Sequence, residues 1–219
     1  MRFRYVVAIT IVVLAVTIGI GLYQKSFYID FNEKELPLEN CIVGLLPENI
    51  AKVQIEHLRE NLENISNYII AVECTSSTLF HYSGTSQEVV VKHIFKGEGL
   101  KEEERIKIVR SGTAIFMDED KPSVNMGFVN EMKQGKEYLI FLDRKIKNTD
   151  NFYLQSDDFI VAPIFCYEEI ESTVCKSIST QYNAMEYKEA SKNEFFFVDE
   201  TSLNDIQVLK REFISKYSY

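Results

Sequence analysis

The sequence predicts a mainly β protein with flanking helices, in which a single N-terminal transmembrane helix precedes a small five-stranded β-barrel. Three observations predict it. An apolar run without a charged residue, Tyr5 to Tyr23, stands behind Arg2 and Arg4. About five short strand signals follow one another between residues 68 and 161. A helical pattern stands before them and another after them. Five strands bracketed by two helices suit a partly open barrel, with a sandwich or a flat α+β sheet as alternatives.

The first element, Tyr5 to Tyr23, spans roughly 28 Å as a helix, about the thickness of a bilayer hydrocarbon core. Two arginines precede it, and Lys25 is the only basic residue close behind. That asymmetry predicts a cytoplasmic N-terminus and an extracytoplasmic remainder. Secretion after signal cleavage is the alternative. It needs a shorter apolar core and a small-residue cleavage site, and Gly19-Ile20-Gly21-Leu22-Tyr23-Gln24-Lys25 is a poor one. A lipoprotein is disfavoured because the first cysteine, Cys41, lies far beyond the run. No later apolar run approaches spanning length, so one pass is expected.

Residues 1–24 are thus assigned to the anchor and 25–65 to a stalk with a lead-in helix. Pro47 suits the first helical position and Glu48 the positive helix end. Ile50, Val53, Leu58, Leu62 and Ile65 form a roughly helical stripe opposite Lys52, Glu56, Arg59, Glu60 and Glu63. The barrel is assigned to 66–165. Tyr68 to Cys74 alternates as a strand. Glu88 to Phe95 is the second and is stopped by Lys96-Gly97-Glu98-Gly99. Arg105 to Arg110 is the third. Gln134-Gly135-Lys136 turns into Glu137-Tyr138-Leu139-Ile140-Phe141-Leu142, apolar on both faces as a central strand should be. Phe152 to Leu154 and Phe159 to Val161 read as a closing hairpin, ended by Pro163. Residues 166–219 form a C-terminal extension. Its last helix starts at a capping-box-like Ser202 and Asp205, and Ile206, Leu209, Phe213 and Tyr217 form its apolar stripe.

All 33 acidic residues and 22 of the 24 basic ones follow the apolar run, leaving that part at 22 − 33 = −11. Such a surface repels nucleic acid and anionic lipid. The four cysteines, Cys41, Cys74, Cys166 and Cys175, permit two disulfides outside the cytoplasm. Cys166 and Cys175 are the best-placed pair, and four free buried thiols are the alternative. No C-x-x-C points to zinc.

The order of signals, with "FKG" at Phe95-Lys96-Gly97 and "GKEYLIFL" from Gly135 to Leu142, resembles the netrin-like, or tissue-inhibitor-of-metalloproteinases-like, OB-fold domains of secreted proteins. The resemblance covers residues 66 to 165 and implies an OB-like barrel. Phe95, Lys96, Gly97, Gly135, Tyr138 and Phe141 are its fold markers. The inhibitors of that family bind a target's zinc through the free amine of an N-terminal cysteine. Here an anchor occupies the N-terminus and no cysteine opens the domain, so protease inhibition does not carry over.

Catalytic patterns are missing. G-x-S-x-G, H-E-x-x-H, G-x-x-x-x-G-K-[ST] and G-x-G-x-x-G do not occur. His57 and Glu60 share a helix face, better read as solvated than as half a metal site. His93 alternates with Val91 and Phe95, and His81 has no evident partner. Asp118-Glu119-Asp120, Asp157-Asp158 and Glu168-Glu169 lack the spacing of a calcium loop and read as solvated. Phe195-Phe196-Phe197 reads as a core plug, with an exposed docking patch as the alternative. The expectation is a non-enzymatic module without cofactor or metal. It is held at a membrane, binds a protein or envelope ligand, and has no nucleic-acid partner. An unrecognised enzyme or inhibitor and a purely structural tether are the alternatives.

Overall fold

The fold was determined as a computed structural model, which describes residues 2–26, 38–81, 84–111, 115–117, 122–155, 159–170, 172–178 and 183–219. The chain forms two compact units, residues 1–36 and 37–219.

The first unit holds α1 (Arg2–Ser26). From Arg4 to Gln24 this helix has a mean hydropathy of 2.6 and is long and apolar enough to cross a membrane. Its two threonine hydroxyls are satisfied within the helix. Thr10 Oγ1 donates to the Val6 carbonyl at 3.0 Å and Thr17 Oγ1 to the Val13 carbonyl at 2.8 Å. A lipid-facing helix requires such internal pairing.

In the second unit a 3₁₀ turn (Leu38–Asn40), β1 (Ile42–Gly44) and α2 (Glu48–Ile65) lead into β2 (Tyr68–Cys74), β3 (Leu79–His81), β4 (Gly84–Lys96) and β5 (Arg105–Ser111). Next come β6 (Ile115–Met117), β7 (Pro122–Val124), β8 (Glu137–Lys145), β9 (Asn151–Leu154), β10 (Ile164–Cys166) and β11 (Ala184–Glu186). The chain ends with a short α3 (Tyr187–Ala190) and α4 (Glu200–Lys216).

Five of these strands close into an OB-like barrel. β8 pairs antiparallel with β2, β2 with β4, and β4 with β5. β5 then pairs in parallel with β9, from Lys107↔Asn151 to Val109↔Tyr153, and β9 returns antiparallel to β8 at Leu142↔Leu154. Closure removes the free edges that an open sheet would leave. Register shifts between β2 and β4 at Ile69/Ile70 and Ala71/Val72 supply the bend that a small barrel needs. β10 lies beside β8, and β3 beside the start of β4. A separate small sheet runs β11-β1-β7-β6.

The fold markers sit at the barrel's turns and core. Phe95 and Lys96 end β4. Gly97 has φ +115°, and a Cβ there would stand 2.2 Å from Tyr68 Cδ1, so only glycine fits. Gly135, at φ +78°, donates its amide to the Cys74 carbonyl at 2.8 Å and starts β8 in register. Phe141 is fully buried, 6.1 Å from the Phe165 ring and 5.2 Å from that of Phe213. The core joins the barrel to α2 through Leu58 and Leu62, and to α4 through Ile206, Leu209 and Phe213. The lead-in helix and the C-terminal extension therefore share one core with the barrel.

Several expectations need correction. Residues 159–161 form no strand. Val161 and Phe159 are buried, the Phe159 ring lies 5.0 Å from that of His57, and the Ile160 amide donates to Gln54 Oε1 at 3.3 Å. The closing strand β9 thus pairs with β5 and with β8, and not with residues 159–161. Pro163 precedes a strand, β10, and does not end one. On α2 the buried face is Ala51, Ile55, Leu58 and Leu62, whereas Ile50 and Val53 are exposed. Pro47 is the residue before that helix. The cap of α4 is Asp199, whose carboxylate accepts from the Ser202 amide at 2.7 Å.

The expected Cys166–Cys175 disulfide is not formed; all four cysteines are free and buried. Cys166 stays in β10, opposite Tyr138. The following residues carry Cys175 away to the Phe197 carbonyl, and its sulfur accepts from Asn193 Nδ2 at 3.3 Å. Burial pushes all four thiols up, so they are poor nucleophiles.

Candidate functional site

Where the C-terminal extension meets the barrel, the side chains change character. Residues 193–197 run between α3 and α4 in an extended path, and Phe195, Phe196 and Phe197 are fully buried, as a core plug. Glu194 is buried with them. Its Oε1 accepts from the Cys166 amide at 2.8 Å, and its Oε2 accepts from Lys210 Nζ at 2.5 Å. Lys210 also donates to the Glu168 carbonyl at 2.9 Å. The Glu194 side chain is 5% exposed and that of Lys210 8%. Burial pushes the Glu194 carboxyl above its ordinary range, and Lys210 and the Cys166 amide oppose that rise. A buried ion pair is costly to desolvate and contributes little net stability, but either partner alone costs several kcal/mol.

This pair lies in the wall of a cavity of about 430 Å³, lined by Glu169, Ile170, Ser172, Glu194, Gln207, Lys210 and Arg211. That is within the size range of small-molecule sites. The Ser172 hydroxyl accepts from the Glu194 amide at 3.2 Å and holds the extended segment in place. Glu169 and Arg211 are exposed and make no ion pair among the described residues.

A second buried polar cluster surrounds Asn130. The Tyr187 hydroxyl donates to Asn130 Oδ1 at 2.9 Å and lies 3.2 Å from Glu131 Oε1. Asn130 Nδ2 donates to the Ser191 and Asn193 carbonyls. Arg110, on β5, reaches the Val129 carbonyl only at 3.5 Å. Burial pulls its guanidinium down to about 10, against the pull of Glu131 and Tyr187. Gln87 clamps the same segment, donating to the Met132 carbonyl at 2.7 Å and accepting from its amide at 3.1 Å. The contacts of Tyr187, Asn130 and Gln87 read as a brace between the barrel and the extension. The Tyr138 hydroxyl accepts from the Lys133 amide at 2.7 Å, and burial raises its pKa.

The sequence-predicted polar residues do not gather at the cavity. His57 is 3.0 Å from Asn61 Nδ2, and His81 Nε2 is 2.8 Å from Ser86 Oγ. His93 pairs with Glu102 at 2.8 Å, and its ring stacks on Tyr219 at 5.5 Å. No group of three or more His, Cys, Asp or Glu side chains able to hold a metal occurs among the described residues. Asp118-Glu119-Asp120 and Asp157-Asp158 lie outside the described residues. Of the third acidic cluster, Glu168 pairs with Lys136 at 2.6 Å, and Glu169 lines the cavity.

Sequence reasoning missed Glu194, Lys210, Arg211 and Ser172. One signal was present. Lys210 falls four residues after Ile206 and three before Phe213, inside the buried stripe of α4. A cation at such a position needs a buried partner.

No protein-family model matches this chain, and no curated protein matches it. The netrin-like resemblance therefore stands on the sequence of residues 66 to 165 alone.

Proposed function

We propose that this chain is a non-enzymatic, membrane-tethered binding module whose barrel unit lies outside the cytoplasm and takes a protein or envelope ligand. The observation that carries the binding reading is the cavity beside α4. Its innermost charges, Glu194 and Lys210, are locked to each other and to backbone groups. Charges fixed in this way are preorganised for recognition. The tether is α1. Arg2 and Arg4 ahead of the apolar run support a cytoplasmic N-terminus. The acidic balance of the remainder favours solubility and disfavours nucleic acid.

The four buried, unreactive thiols make a direct topology test available. A single added cysteine, Lys147→Cys, sits at an exposed position after β8. A membrane-impermeant maleimide should label this variant on intact cells and leave the parent chain unlabelled. Labelling only after lysis overturns the extracytoplasmic placement. The mass of the mature chain separates a tether from a signal: retention of Tyr5 to Tyr23 in the membrane fraction supports the tether, and a chain shortened by that segment and released into the medium overturns it.

A further inference from the structure

The cavity beside α4 carries two carboxylates, Glu169 and Glu194, and two cations, Lys210 and Arg211. The inner pair neutralises itself. Lys210 spends two of its three N–H donors, on Glu194 and on the Glu168 carbonyl, and retains the third. The outer two charges, Glu169 and Arg211, have no ion-pair partner among the described residues, although they line the same cavity. Ile170 adds an apolar wall and Gln207 a neutral amide.

From this charge arrangement we infer that the cavity binds a small zwitterion, with an ammonium and a carboxylate on one molecule, of the amino-acid or short-peptide class. The carboxylate is taken by the planar guanidinium of Arg211 and the spare N–H of Lys210, and the ammonium by Glu169. A simple anion would leave Glu169 facing it, and a simple cation would face Arg211. A ligand with both signs complements the two outer charges together, in place of the water that otherwise solvates them. The volume suits an amino acid or a dipeptide. The inference rests on the reading of this chain as a binding module, but its test on purified protein does not depend on membrane topology. The two can therefore fail separately.

The experiment is isothermal titration of the full chain in lipid nanodiscs with free L-amino acids, dipeptides and tripeptides. Acetate and ethylamine serve as single-charge controls. The expected result is a zwitterion that binds with a dissociation constant below about 1 mM, with each control at least about tenfold weaker. Glu169→Gln and Arg211→Gln should each weaken that binding by about tenfold or more. Both positions are exposed, so circular dichroism and the melting temperature should stay at the parent values. The inference is overturned if no zwitterion gives heat at about 10 mM. It is equally overturned if acetate or ethylamine binds as tightly, or if both variants keep the parent affinity.

Discussion

The barrel wall and the seam beside it are both buried, and they are built from opposite chemistry. In β8, Leu139, Ile140, Phe141 and Leu142 are fully buried, and the only polar groups to satisfy are those of the backbone ladder. At the seam, Asn130, Asn193, Glu194 and Lys210 are almost as deeply buried, and each must find side-chain or backbone partners. The wall gains from burial in proportion to area. The seam gains little net stability from its ion pair. The comparison teaches that apolar packing and buried charge are separated in this unit. The barrel sets the geometry, and the buried ion pair sits where the extension docks on it.

Single breaks should not distinguish the two regions, and these are the largest effects expected. Phe141→Ala removes a ring packed against Phe165 and Phe213 and should cost about 3–5 kcal/mol in urea unfolding. Glu194→Leu strands the Lys210 ammonium and should also cost about 3–5 kcal/mol. A loss below about 1 kcal/mol at either site would mean that water or a neighbour replaces the missing contact.

The next effect belongs to the wall alone. Gly97→Ala places a Cβ against the Tyr68 ring at a positive φ and should cost about 1–3 kcal/mol. Gly99→Ala has open space at its Cβ, although its φ is also positive at +79°, and it should cost less. Equal losses at the two glycines would show that backbone strain, and not the Tyr68 contact, sets the cost.

The same division explains what was legible in the sequence. The barrel wall was readable because apolar periodicity and turn glycines act locally. Tyr68 to Cys74 forms a strand with the bounds read from the sequence, and Glu137 to Leu142 lies within β8. The closing strand was half readable: Phe152 to Leu154 lies in β9, but its parallel partner β5 is more than forty residues earlier. Long-range pairing of that kind leaves no local pattern. Phe159 to Val161 looked like a strand because buried apolar runs look alike whether they pair or merely pack. The seam was almost wholly hidden, since Glu194 and Lys210 meet across sixteen residues through the fold. Cys166 and Cys175 misled for the converse reason: nearness in sequence did not bring their sulfurs together.

The smallest expected effect is pH dependence at the seam. Burial raises the folded Glu194 carboxyl above its unfolded value of 4.5. The folded state therefore holds a proton where the unfolded state has lost it. The contribution from Glu194 is fully present below the unfolded value and is lost as pH rises through the folded one. Relative to Glu194→Gln, the parent chain should be more stable near pH 4 than near pH 7, as read by urea midpoints at both. The opposite slope would mean that Lys210 and the Cys166 amide outweigh desolvation.

The separation of apolar packing from buried charge is tested most directly by the double variant Glu194→Leu with Lys210→Met, unfolded in urea beside the two single variants. Removing both charges relieves the desolvation that each imposes. The double variant should therefore lie within about 1 kcal/mol of the parent chain, although each single variant falls by about 3–5 kcal/mol. It should also lose zwitterion binding, because the spare donor of Lys210 is gone. A double variant as unstable as the singles, with binding intact, would contradict the account and place the ion pair among the elements that hold the fold.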